Sequence, residues 1–183
     1  FFSDCEMVVV SPGVSPESRI IAELHRAGVP LMRELEMAYQ LCDRSLIGVT
    51  GTVGKRTTVE LLQRIFHAEG RPLGIGGNKG EPLSALLADP RRDPPASQVP
   101  HEETKDLALA VSSFQLETVV HFRPQIAILL NIDDEHLDRH RSIAEYIRIK
   151  SRIFMNHHPD DVLILPFDDD RLRSLARKHH GRT

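Results

Sequence analysis

The chain has 183 residues, with 26 acidic residues against 23 lysines and arginines, and a formal net charge of −3. That near-balance lacks the basic footprint of a nucleic-acid binder, and 40% hydrophobic with 27% charged residues is the mixture of a globular domain. The longest apolar run, residues 126–130, is strand-sized against the ~18 residues of a membrane span, and two cysteines, Cys5 and Cys42, fit a reducing cytoplasm rather than a disulfide framework.

In chain order, apolar strand, turn and amphipathic helix alternate. This predicts an α/β fold, a mostly parallel sheet flanked by helices. The chain opens Phe1-Phe2 with no basic leader, so no signal peptide is expected and the sequence reads as a segment of something longer. Residues 7–14 (MVVVSPGV) predict a strand ending in a Pro-Gly turn. Ser15-Pro16-Glu17 then supplies a capping hydroxyl, a proline for the first helical position and a first-turn acid, opening a helix that stops at Gly28. A strand from 29 and a helix over 33–43 follow. SLIGVTG (45–51) predicts a strand running into a glycine turn, then a helix from Lys55 to Ala68. Residues 71–76 form a short strand, GGNKGEP a turn and 83–89 a helix. Residues 89–106, with four prolines and many charges, read as a flexible surface insertion without chemistry. Beyond it come a strand over 107–113, a helix around 114–122, a strand over 125–132, a helix over 143–156 and a strand over 162–167. Residues 168–183 read as an amphipathic helix or a fraying tail. The least strained domain boundary lies near Asp43, separating 1–43 from 44–183.

The stretch IGVTGTVGKRTTVELL (47–62) is the richest in chemistry. Glycines at 51 and 54 let backbone N–H groups converge on an anion, and the following helix N-terminus adds positive potential. Lys55 neutralises terminal phosphates. The hydroxyl that ordinarily follows such a lysine and ligates Mg²⁺ is replaced by Arg56, and Val49 stands where the longer phosphate-loop pattern has its first glycine. NIDDEHLDRH (131–140) ends an apolar strand and places His136 with Asp133, Asp134 and Asp138 at the carboxyl edge of a parallel sheet, where ligands gather. On spacing alone it is a metal site or a solvated, capped turn. Lys150, on the following helix, reads by itself as a surface lysine. SSFQLE (112–117) offers the Ser112 hydroxyl and the Gln115 amide, or simply a helix N-cap with Phe114 and Leu116 in the core. Asn78 sits in what would otherwise be an ordinary glycine turn.

Taken in order, SPGVSP, the GTxGK loop, GGNxG-PL, SSFQLE, HLDRH and a lysine fourteen residues after His136 resemble the Mur ligases over nearly the whole chain. SSFQLE with HLDRH is most similar to the branch that adds D-glutamate to UDP-N-acetylmuramoyl-L-alanine in peptidoglycan synthesis. The resemblance implies a P-loop-type central ATP-binding domain over 44–183, preceded in 1–43 by the remnant of a Rossmann-like domain that holds the UDP-substrate. It implies an acyl-phosphate reaction by a cytoplasmic, monomeric enzyme with neither a nucleic-acid partner nor a membrane span. Gly51, Thr52, Gly54, Lys55 and Thr57 would hold ATP, and Asn78, Ser112 and Gln115 the UDP-muramoyl substrate. His136 and Lys150, the latter as a carbamate, would hold Mg²⁺ and act in catalysis with Lys55. Val53, Arg56 and Ala110 depart from the family pattern, the last two where it has metal ligands; Lys79 and Arg141 depart at tolerant positions. These departures keep open an impaired relative that only binds nucleotide or substrate. A folylpolyglutamate synthase-like ligase is a further alternative, which SSFQLE and HLDRH disfavour.

Overall fold

The structure, a computed structural model, describes residues 4–78, 80–88, 104–135, 137–177 and 179–183. Two parallel sheets form within them. The smaller pairs β1 (Val8–Val10) with β2 (Leu31–Arg33) across the crossover helix α1 (Arg19–Arg26), around Val10, Ile21, Leu24 and Val29. β1 is shorter than the expected 7–14. α1 starts at an extended Ser18, not at Ser15. The Ser15 hydroxyl accepts from the Glu17 N–H at 3.2 Å and the Ser15 carbonyl from the Ser18 N–H at 3.0 Å, so this segment closes a turn of its own before the helix. Gly28, with φ 68°, ends α1 as expected.

The larger sheet is all-parallel and ordered β4-β5-β3-β6-β7: β3 Ser45–Thr50, β4 Leu73–Gly77, β5 Asp106–Ala110, β6 Ile126–Leu129 and β7 Val162–Ile164. Its central strands are apolar on both faces because both faces are covered. Ile47, Val49, Ala108 and Ile128 pack on one side against Val59 of α3 (Lys55–Ala68). Leu46, Leu107, Leu109 and Ala127 face the other, with α2 (Glu34–Gln40), α4 (Leu83–Leu86), α5 (Ser113–Leu116) and α7 (Ile143–Ser151). α7 continues into a 3-10 turn, Arg152–Phe154. α2 lies before the boundary expected at Asp43, yet its Leu35 and Ala38 sit in the core of the larger sheet.

Two further elements depart from expectation, and residues 168–183 take the helical one of their two readings. The helix around 114–122 is a single turn, α5, because the Glu36 carboxylate of α2 accepts from the N–H groups of Val120 (3.0 Å), His121 (2.8 Å) and Phe122 (3.2 Å) and draws them out of a helical ladder. α6 (Leu137–His140) is an added short helix. The final segment forms α8 (Asp170–Ala176), capped by Asp169 and anchored by buried Leu172 and Leu175. Arg182 then bridges to Val162. Residues 89–103 of the expected insertion and Lys79 lie outside the described residues. Among the described residues, no helix is long and apolar enough to cross a membrane.

Candidate active site

β3 lies between β5 and β6, while α3 leaves it to reach β4 beyond β5, so the carboxyl end of β3 is a topological switch point. The turns after β3, β5 and β6 meet there. Register places Val49 beside Ala110 and Thr50 beside Leu129, bringing residues far apart in sequence to one rim. They line a cleft of about 320 Å³ that includes Thr52, Gly54, Lys55, Arg56, Asn78, Ala110, Ser112, Phe114, Glu135, Tyr146 and Lys150.

The turn after β3 has the geometry of an anion cradle. Gly54 caps α3 in the left-handed region (φ 84°) and, having no side chain, makes no cap bond to the first turn of the helix. The amides of that turn point at whatever occupies the cleft. Lys55 Nζ folds back onto the carbonyls of Gly51 and Thr52, at 2.7 Å each. Lys150, only 1% exposed, donates to the same Gly51 carbonyl at 2.8 Å and lies 4.6 Å from the Tyr146 ring centroid. Burial, then the nearby Lys55, pull its pKa down to about 7, against the opposing pull of Glu135. The Tyr146 hydroxyl is buried without a hydrogen-bond partner among the described residues, facing Thr52 outside bonding geometry, and burial raises its pKa.

Asn131, just beyond β6, holds the turn from across the sheet. Its Oδ1 accepts from the N–H groups of Thr52 (3.0 Å) and Val53 (2.9 Å), and its Nδ2 donates to the Val53 carbonyl (3.2 Å). Thr52 Oγ1 in turn accepts from the Asp133 N–H at 3.0 Å. Ser112 and Gln115 form a reciprocal capping box at the start of α5. Leu116 is fully buried, as the simple cap reading expects, but Phe114 is only partly so and lines the cleft, with the Arg139 guanidinium 4.4 Å from its ring centroid.

Of the residues singled out in the sequence, Thr52, Gly54, Lys55, Asn78, Ser112 and Lys150 line one cleft, and the buried Gly51 supplies its floor carbonyl. Gln115 sits behind the rim as Ser112's capping partner, and Thr57 is exposed on α3 away from the lining. His136 and the Asp138 side chain lie outside the described residues; Asp133 and Asp134 are exposed. Asn131 and Glu135 lie within NIDDEHLDRH without being singled out there, and Tyr146 lies outside every motif, so the parts these three take emerge only from the fold. For Tyr146 a signal existed: it stands four residues before Lys150, on the same helical face. A wider cleft, about 890 Å³, opens between Ser15–Glu17 and the α6–α7 side. Two of its arginines are already matched by acids, Arg139 by Glu117 and Arg148 by Glu145.

A five-stranded parallel sheet with a glycine turn, a lysine and a helix N-terminus at its switch point defines an α/β domain of the phosphate-loop kind. The model of the Mur ligase middle domain matches residues 49–183, and the chain belongs to the Mur ligase family, ATP-dependent ligases. It is 39% identical over 171 residues to a UDP-N-acetylmuramoylalanine–D-glutamate ligase from Caldanaerobacter subterraneus subsp. tengcongensis, covering 92% of this chain and 35% of that protein. It is 41% identical over 176 residues to the enzyme of that name from Trichlorobacter lovleyi, covering 96% and 37%. The chain thus spans little more than a third of these relatives' length. The fold is shared with the MurF ligase of Thermotoga maritima solved in complex with ADP (TM-score 0.62, 19% identity, 97% of this chain and 47% of that one). It is shared also with a UDP-N-acetylmuramate:L-alanyl-gamma-D-glutamyl-meso-diaminopimelate ligase from Neisseria meningitides (TM-score 0.67, 16% identity, 97% and 57%).

Proposed function

We propose that the chain is the ATP-binding part of a cytoplasmic ligase that joins D-glutamate to UDP-N-acetylmuramoyl-L-alanine in peptidoglycan synthesis. The observation that carries the reading is the turn at the end of β3, where the glycine-capped start of α3 and two lysines, sharing the Gly51 carbonyl, border one cleft.

In this reading the nucleotide phosphates lie on the N-terminus of α3. Lys55 leaves the Gly51 and Thr52 carbonyls to meet them, exchanging two neutral acceptors for anionic oxygens. The alanyl carboxylate attacks the terminal phosphorus, an acyl phosphate forms and ADP departs. The D-glutamate amine then attacks the acyl carbon, loses a proton and expels phosphate. Such transfers rest on positioning and on groups already aimed at developing charge. Asn78, exposed at the rim with its N–H held by the Ala110 carbonyl at 2.8 Å, and Ser112 would meet the muramoyl substrate, with Gln115 orienting Ser112. Lys150 as a carbamate requires a neutral amine, and its pKa of about 7 keeps one present at neutral pH. A carbamate resonance in ¹³C-bicarbonate spectra, absent in Lys150→Ala, would support that role.

Mg²⁺ would neutralise charge on the phosphate oxygens, but the described donor set does not suit it. A guanidinium, Arg56, follows Lys55, and the strand end at Ala110 presents a methyl group. No step is therefore routed through the metal. Those two residues favour a second reading, a relative that binds nucleotide without turning it over. In the full-length protein, phosphate release that requires both D-glutamate and the UDP-muramoyl substrate separates the two. Calorimetric titration with ATP tests the site itself: Lys55→Ala should abolish the binding seen with the unmodified chain.

A further inference from the structure

The cleft is rich in cations and poor in uncommitted oxygen. Lys55, Arg56 and, while its amine is unmodified, Lys150 line it, and Glu135 is its one lining carboxylate among the described residues. Its serine and threonine hydroxyls are already engaged, and the one lining hydroxyl without a hydrogen-bond partner among the described residues is the neutral phenol of Tyr146. Ser112 Oγ bonds Gln115 at 3.1 Å, Ser113 Oγ contacts His140 Nε2 at 3.0 Å, and Thr52 Oγ1 accepts from the Asp133 N–H. A hard divalent cation of Mg²⁺ size demands near-octahedral oxygen at ~2.0–2.1 Å. No group of three potential metal-binding side chains exists among the described residues. Where a phosphate loop ordinarily places a hydroxyl for that cation, this chain places a guanidinium.

Arg56 is well disposed to act in the cation's stead. It sits in the first turn of α3, beside the amides that face the cleft. Its exposed ion pair with Glu60 uses Nε alone, at 2.7 Å. The two terminal nitrogens remain for a fork-like contact with phosphate oxygens, a geometry a guanidinium makes in pairs. A salt bridge of this exposed, one-turn kind is weak, so releasing it opposes phosphate binding little.

We infer that this cleft binds the polyphosphate of a nucleoside di- or triphosphate without a divalent cation, Arg56 supplying the charge that a metal would otherwise carry. The inference rests on the nucleotide-site reading above and goes beyond it. Calorimetry of the chain with ATP, and with inorganic tripolyphosphate as a base-free probe, in EDTA and in millimolar Mg²⁺, tests it. Affinity in EDTA should lie within about threefold of that in Mg²⁺, and Arg56→Ala should lower it about tenfold in EDTA, equivalent to ~1.4 kcal/mol. Arg56→Lys should restore part of that loss, and Arg56→Thr should make binding Mg²⁺-dependent. Circular dichroism confirms that each variant is folded. Mg²⁺ tightening binding to the unmodified chain more than about tenfold would overturn the inference and leave the nucleotide site standing. So would unchanged affinity of Arg56→Ala in EDTA. Absence of binding in both conditions would remove the nucleotide site itself.

Discussion

Replacing Asn131 by alanine removes the side chain that clamps the turn after β3, proposed above to bind phosphate. The Thr52 N–H keeps a second partner, the Asn131 backbone carbonyl at 3.1 Å, so that bond is only half lost. Val53 is exposed, and its N–H and carbonyl both return to water. At ~0.5–1.5 kcal/mol per neutral hydrogen bond, the turn gives up about 2 kcal/mol of ordering. If that order must be restored when phosphate binds, the dissociation constant rises roughly 10- to 50-fold, at ~1.4 kcal/mol per decade. Asn131→Asp separates clamping from charge. Its carboxylate still accepts from the two amides, but an oxygen replaces the Nδ2 donor opposite the Val53 carbonyl and adds a negative charge beside the phosphates. Asp should therefore fall between the unmodified chain and Ala in thermal stability, yet bind nucleotide more weakly than Ala. Calorimetric titration with ATP and melting by circular dichroism read the two orders. An alanine variant binding within twofold of the unmodified chain, or an aspartate variant binding more tightly than alanine, would refute the clamp.

Gly54→Ala should cost about 1–2 kcal/mol in urea unfolding and weaken nucleotide binding, because a Cβ there meets no close atom (Leu130 Cδ1 at 3.5 Å) and the loss is the pure strain of φ 84°. Glu36→Ala strands three N–H groups and should cost about 3–5 kcal/mol; Glu36→Gln, keeping one accepting oxygen, should lose about half of that, as urea midpoints would show. The half-buried His157 ring, 2.7 Å from His179, has its pKa pushed down from 6.5 to about 4, first by burial. The unfolded chain then takes up a proton that the folded one resists. Stability present above pH ~6.5 should drain as pH falls toward 4, by about 2 kcal/mol after allowance for partial exposure, and His157→Phe should flatten that slope in melts at stepped pH.

Local chemistry made the turn between β3 and α3 legible. Gly54 and Lys55 mark where β3 stops and α3 starts, and the helix runs over Lys55–Ala68 as its periodicity predicts. The both-sided apolar runs of β3, β5 and β6 announced a covered parallel sheet. What stayed hidden depends on partners distant in sequence. Asn131 clamps a turn 78 residues upstream, which no local pattern encodes. Glu36 shortens the helix around 114–122 from 84 residues away, although residues 114–122 themselves are patterned for helix. At Ser15 the failure was one of competition: two hydroxyls three residues apart both suit a cap, and the first is consumed by its own turn.

The position of α2 decides where this chain can be divided. β2 ends at Arg33 and α2 begins at Glu34, with no linker between the small sheet and a helix that belongs to the large one. A cut near Asp43, in the stretch that looks most like a joint, would strip Leu35 and Ala38 from against Leu83 and Leu86 and leave the 120–122 amides without their carboxylate. A cut between Arg33 and Glu34 would keep both, and would sever instead the Arg33 side chain from the larger body while leaving it bonded to the Ser11 and Val14 carbonyls of its own unit. The severable joint is therefore a peptide bond inside what reads as continuous structure, and the loop that follows α2 is interior to one cooperative piece.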